Sequence, residues 1–88
     1  MQAPETLFEF PCEFPIKAVG EAREGLAAAV IETVLMHAPD FDPSTLETRA
    51  SSGGKYVSLT CTINATSKTQ LDDLYRALTA HPMVKVVL

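Results

Sequence analysis

The residues of this chain that could carry chemistry are few: Cys12, Cys61, His37, His81, Arg23, Asn64 and a scatter of serines and threonines. Gathered together, the two cysteines and two histidines have the donor atoms of a zinc set. No two of them stand at metal-ligand spacing, however, and no C-x-x-C pair is present. His37 and His81 each fall at a helix C-terminus, where an imidazolium suits the negative end of the dipole. Cys61 sits at an apolar position of an alternating run and is expected in the core, and Cys12 between Pro11 and Pro15 is expected to be more exposed. Arg23 could bind a phosphate and Asn64 could place a water, as in an acylphosphatase. The stretch that would cradle that phosphate reads Gly20-Glu21-Ala22-Arg23-Glu24, whose acids repel it. The hydroxyls have no His and carboxylate at recognisable offsets. The chain is therefore expected to hold no catalytic residue, no metal and no cofactor.

Composition narrows the partners. The chain has 88 residues, 47% hydrophobic and 20% charged, with a net charge of −4. That length supports one domain with a modest core. Seven basic residues dispersed among eleven acids make no footprint for nucleic acid or for an anionic membrane. A fragment of an RNA-stacking motif occurs at Gly54-Lys55-Tyr56-Val57, but the strand beyond it continues with Ser58, Thr60, Thr62 and Asn64 rather than aromatics. No apolar run approaches the roughly 18 residues of a membrane span. The first residues lack a basic segment followed by an apolar one, so a cytoplasmic location is expected.

The elements that must position these residues follow from periodicity. Residues 1–12 read as an N-terminal arm, with Pro4, Pro11, Leu7, Phe8 and Phe10, and residues 13–88 as the single domain. Glu13 to Gly20 predicts a first strand with Pro15 near its start. Leu26, Val30, Val34 and His37 predict a helix over residues 23–37, stopped by Pro39. Leu46–Ser52 and Tyr56–Thr66 predict a hairpin whose Gly53-Gly54 pair forms a two-residue turn. In the second strand Val57, Leu59, Cys61, Ile63 and Ala65 alternate with polar neighbours, giving one buried and one wet face. Ser67-Lys68-Thr69-Gln70 has the form of a capping box. Leu71, Leu74, Tyr75 and Leu78 form the stripe of the helix that follows, and Met83–Leu88 reads as a final strand.

The order β-α-β-β-α-β, with right-handed crossovers, leads to an α+β ferredoxin-like sandwich. It has a four-stranded antiparallel sheet in order 4-1-3-2, two helices on one face, and the other face open. The second and fourth strands are edges. Val84, Val86 and Leu88 suggest an apolar edge that a second copy of the chain or the N-terminal arm would cover.

Taken in order, LFEFPCEFPIKAVG, the helix-ending His37-Ala38-Pro39, SSGGKYVSLTCTINAT, LDDLYRAL and HPMVKVVL resemble the uncharacterised bacterial family typified by YbeD, over residues 7–88. That resemblance implies an ACT-like fold and carries no catalytic residues. ACT domains bind amino acids near the loop after the first strand, which would place Gly20 near a ligand, although the Asp-x-Pro-Gly form of that loop is absent here. The expected function is a non-catalytic regulatory or adaptor domain that works through a protein partner, self-association at a sheet edge, or a small-molecule effector. An acylphosphatase-like hydrolase on the same fold is the alternative. Ser51, Ser52, Lys55 and Tyr56, on the hairpin, are the candidate partner surface.

Overall fold

The alternation in residues 56–65 decides the layer structure. In the computed structural model, which describes residues 9–88, these residues form β3 (Tyr56–Ala65). Leu59, Cys61, Ile63 and Ala65 point inward, none more than 1% exposed. β1 (Cys12–Glu21) runs antiparallel beside it, with Cys12 opposite Ala65 and Glu21 opposite Tyr56. β2 (Glu47–Ala50) pairs on the far side of β3, and β4 (Val86–Val87) on the far side of β1. The spatial order is β2-β3-β1-β4, all antiparallel, which is the 4-1-3-2 order read from the other end.

Two helices close the inner face. α1 (Leu26–His37) buries Leu26, Val30 and Val34, and α2 (Lys68–Ala80) buries Leu71, Leu74 and Leu78. These six residues pack with Ile16, Ala18, Leu59, Cys61 and Ile63 into one cluster. The result is the ferredoxin-like α+β sandwich that the element order predicts. Among the described residues, no helix is long and apolar enough to cross a membrane.

Pro15 occupies a central strand without breaking the ladder. The Lys17 N–H donates to the Leu88 carbonyl (3.1 Å), and the Lys17 carbonyl accepts in return from the Leu88 N–H (2.8 Å). Odd-numbered residues of β1 thus turn their backbone groups toward β4, whose pairing ends at Leu88. The ring nitrogen of Pro15 therefore faces a stretch of edge where no ladder bond is lost.

Four local expectations change. α1 begins at Leu26 rather than residue 23, because Gly25, at φ 93°, is its N-cap. Glu24 therefore lies before the first turn rather than in it. Leu46 is withdrawn from β2 by a short 3-10 turn, Pro43–Thr45, whose Pro43 carbonyl accepts the Leu46 N–H at 3.2 Å. β4 is shorter than residues 83–88: the Val84 N–H turns back to the His81 carbonyl (3.0 Å), and Val84 is buried. The hairpin turn is also longer than two residues, as described below. Of the arm expected over residues 1–12, residues 1–8 lie outside the described residues, Phe10 packs partly buried against the core, and Cys12 already belongs to β1.

Candidate functional site: the open sheet face

The pairing register assembles the outer face in rows. Glu47, Thr60 and Lys17 lie side by side across β2, β3 and β1, with Leu88 beyond them. The next row is Arg49, Ser58, Val19 and Val86. Two cations and a carboxylate thus surround two hydroxyls, in a shallow hollow of about 270 Å³ lined by Lys17, Glu47, Thr48, Arg49, Ser58 and Thr60. Toward β4 the face becomes apolar, with Val86 44% and Leu88 64% exposed. At the other end a wider hollow of about 480 Å³ is bordered by Glu13, Asp40, Asp42 and Asn64. Asp42 is held below the ordinary carboxylate range by the Ser44 hydroxyl and then the Ser44 amide, which donate to it at 2.8 and 3.0 Å.

Three ion pairs form among the described residues, and many exposed charges, including Arg23, Glu24, Glu32 and Lys55, take part in none. Lys68 pairs with Asp72 at 2.8 Å, Arg76 with Asp73 at 3.3 Å and Lys85 with Glu21 at 3.9 Å. Lys17, Arg49 and Glu47 have no ion-pair partner among the described residues. Exposed pairs of this kind contribute little to stability.

The hairpin candidates divide into two groups. The Gly54 N–H donates to the Ser51 carbonyl (2.8 Å), the Ser51 N–H donates to the Tyr56 carbonyl (2.8 Å), and the Tyr56 N–H donates to the Ser51 hydroxyl (3.0 Å). The loop is thus four residues, Ser52 to Lys55, with Gly53 and Gly54 at φ 88° and 76°. Ser51 and Tyr56 border a hollow of about 120 Å³ together with Val19, Arg49 and Ser58, so they join the open face. Ser52 and Lys55 do not line it; Lys55 lies 5.5 Å from the centre of the Tyr56 ring and gives its carbonyl to the Ala22 N–H (2.8 Å).

Sequence reasoning missed Lys17, Arg49 and Glu47. Each is an outward position of its strand, which alternation shows, but their meeting around Ser58 and Thr60 depends on the register of three strands.

The catalytic and metal alternatives find little geometry. Asn64 pairs with Glu13 at one end of β1, whereas Arg23 follows Glu21 at the other. Eight strand residues separate those ends by about 26 Å, so the two acylphosphatase groups are not brought together. Among the described residues no group of three His, Cys, Asp or Glu could hold a metal ion, and no polar side chain is buried. Burial pushes the Cys61 thiol up to about 11, away from the thiolate a nucleophile needs. The Nδ1 of His81 accepts the Met83 N–H at 3.1 Å in the turn that follows α2, so the ring is engaged within the chain. Gly20 is buried within β1 rather than placed in a ligand loop: a Cβ there would collide with the Met83 carbonyl oxygen.

Fold and face together define a small α+β domain with a mixed-charge sheet surface that none of the described elements covers. The chain belongs to the family described as "Protein of unknown function (DUF493)", whose model matches residues 5–88, and this is the YbeD-like family recognised from the sequence. It is 56% identical over 84 residues to a UPF0250 protein of Nitrosomonas europaea, covering 96% of this chain and 97% of that protein. A UPF0250 protein of Paraburkholderia phytofirmans is likewise 56% identical, over 96% of this chain and 94% of that protein. The solution structure of protein HP0495 from H. pylori superposes with a TM-score of 0.75 at 13% identity, covering all of this chain and 97% of that one. It bears out the fold.

Proposed function

We propose that this domain is a non-catalytic regulatory or adaptor module, and that it binds a protein partner on its open sheet face. The observation that carries the reading is the cluster of charges, Lys17, Arg49 and Glu47, arranged around Ser58 and Thr60 on a sheet face that none of the described elements covers. The base of the hairpin, Ser51 and Tyr56, extends that surface, while Ser52 and Lys55 lie in the loop beyond it. The adjoining Val19, Val86 and Leu88 supply apolar area, so one face offers both the desolvation and the charge pattern that a specific contact uses. A small effector would enter the same hollow of about 270 Å³. Nucleic acid is disfavoured by the net charge of −4. A cytoplasmic setting belongs to the same proposal and is supported by the free thiols of Cys12 and Cys61.

The test of class is an acyl-phosphate hydrolysis assay. No turnover above the buffer rate is expected. Turnover that disappears in both Arg23→Ala and Asn64→Ala would replace this reading with a hydrolase.

A further inference from the structure

β2 has a free edge whose backbone and charges are matched to themselves. Glu47 and Arg49 pair with Thr60 and Ser58. The Ser51 N–H donates to the Tyr56 carbonyl, which fixes the parity of the strand. Residues 47, 49 and 51 thus direct their backbone groups to β3, and Thr48 and Ala50 direct theirs outward, away from the sheet. All four residues of β2 are exposed. The strand has no Pro, no Lys and no inward-pointing charge; its edge is guarded by its four-residue length and by the outward charges Glu47 and Arg49.

In Leu46-Glu47-Thr48-Arg49-Ala50 opposite charges stand at equal distance on either side of Thr48. We propose that β2 pairs antiparallel with β2 of a second copy of this chain, Thr48 opposite Thr48 on a two-fold axis. Glu47 of each copy then stands opposite Arg49 of the other, on the open face, so the two carboxylates and two guanidinium groups left unpaired within the chain satisfy each other. The backbone supplies reciprocal bonds between the two Thr48 residues, and each Ala50 N–H meets the Leu46 carbonyl of the other copy. The Leu46 N–H is not needed, since it is already given to Pro43.

Register is specified by repulsion as well as attraction. A slip of two residues one way sets Arg49 opposite Arg49, and the other way sets Glu47 opposite Glu47. Beneath β2 lies a notch of about 220 Å³ whose walls include Leu26, Ala27, Thr48, Val57 and Leu59. The pairing sets the notches of the two copies side by side, which adds apolar contact below the new ladder. Self-association was expected at the β4 edge; burial of Val84 and the shortness of β4 leave β2 as the better edge. The pairing uses Glu47 and Arg49 of the open face and leaves Lys17, Ser58 and Thr60 uncovered, so it shares part of that face with the partner reading; Lys17→Glu tests the partner and leaves the pairing residues intact.

The test is sedimentation velocity over a concentration series, with far-UV circular dichroism on each variant to confirm the fold. Wild type is expected to dissociate from a dimer on dilution. Glu47→Arg and Arg49→Glu should each raise the dimer dissociation constant about tenfold or more, because like charges then face each other twice. An equimolar mixture of the two variants, and the double variant Glu47→Arg/Arg49→Glu, should recover wild-type dimerisation. Thr48→Pro removes only an outward N–H and should give a folded monomer. A wild type that stays monomeric at every concentration overturns the proposal. So does a dimer indifferent to these substitutions, or a mixture that fails to restore pairing.

Discussion

Gln70 joins the two helices: its Nε2 donates to the His37 carbonyl oxygen at 2.9 Å, thirty-three residues away in sequence. His37 is the last residue of α1, where carbonyls have no partner within the helix. The same side chain accepts, through Oε1, from the Thr66 N–H at 2.6 Å and the Thr66 hydroxyl at 3.1 Å. The capping box thus forms half as expected. The Ser67 hydroxyl accepts the Gln70 N–H at 3.1 Å, but Gln70 reaches back to Thr66 rather than to the cap residue.

Loss of that link should be measurable. Gln70→Ala is expected to cost about 1–2 kcal/mol, from a cap and a part-buried hydrogen bond. In a domain of this size each kcal/mol lowers Tm by about 4–8 °C. Gln70→Glu keeps the acceptor for Thr66 and loses the donor to His37, so it should fall between the wild type and Gln70→Ala in thermal denaturation.

Gly20 is required by packing and not by backbone conformation. A Cβ would meet the Met83 carbonyl oxygen and lie 2.9 Å from Leu26 Cδ1. The leucine tip can move, but the carbonyl belongs to the turn that leads into β4. Gly20→Ala is therefore expected to cost about 1–3 kcal/mol in urea denaturation. Gly53→Ala meets nothing within 4 Å and should cost about 1–2 kcal/mol through its positive φ alone.

Cys61 makes the fold sensitive to alkali. Its thiol is raised by burial to about 11, whereas an unfolded cysteine ionises near 8.5. Between those values the unfolded chain has lost the proton and the folded chain keeps it, so stability falls as pH rises through this window. The slope approaches about 1.4 kcal/mol per pH unit and flattens above pH 11. Tyr75, also raised by burial, acts in the same direction. Cys61→Ala should show a shallower decline between pH 9 and 11 than wild type, measured as unfolding free energy against pH.

How much of this was legible in the sequence depends on whether the cause was local. The burial of Leu59, Cys61 and Ile63 follows from a period of two, and the stripes of α1 and α2 from their three- and four-residue steps. The hairpin did not: Gly53-Gly54 suits a two-residue turn, and only the bonds between Ser51 and Tyr56 show that the loop holds four residues. The start of α1 moved for a similar reason, since nothing in Arg23-Glu24-Gly25 announces that glycine rather than an acid would cap it. The site was least legible. Lys17 and Arg49 lie 32 positions apart and meet over Ser58 and Thr60 because two pairings share one register. Ser51 and Tyr56 were singled out for the turn they close, and they reach the face only at its margin.

The central claim is that the open sheet face is where this domain meets its partner. Its most direct test is quantitative affinity capture from an extract of the native bacterium with three baits: wild type, Lys17→Glu on the open face, and Glu32→Lys on the helical side. Proteins held by wild type should be recovered equally by Glu32→Lys and reduced about tenfold by Lys17→Glu. Recovery undiminished by Lys17→Glu, or lost with Glu32→Lys instead, would contradict the account.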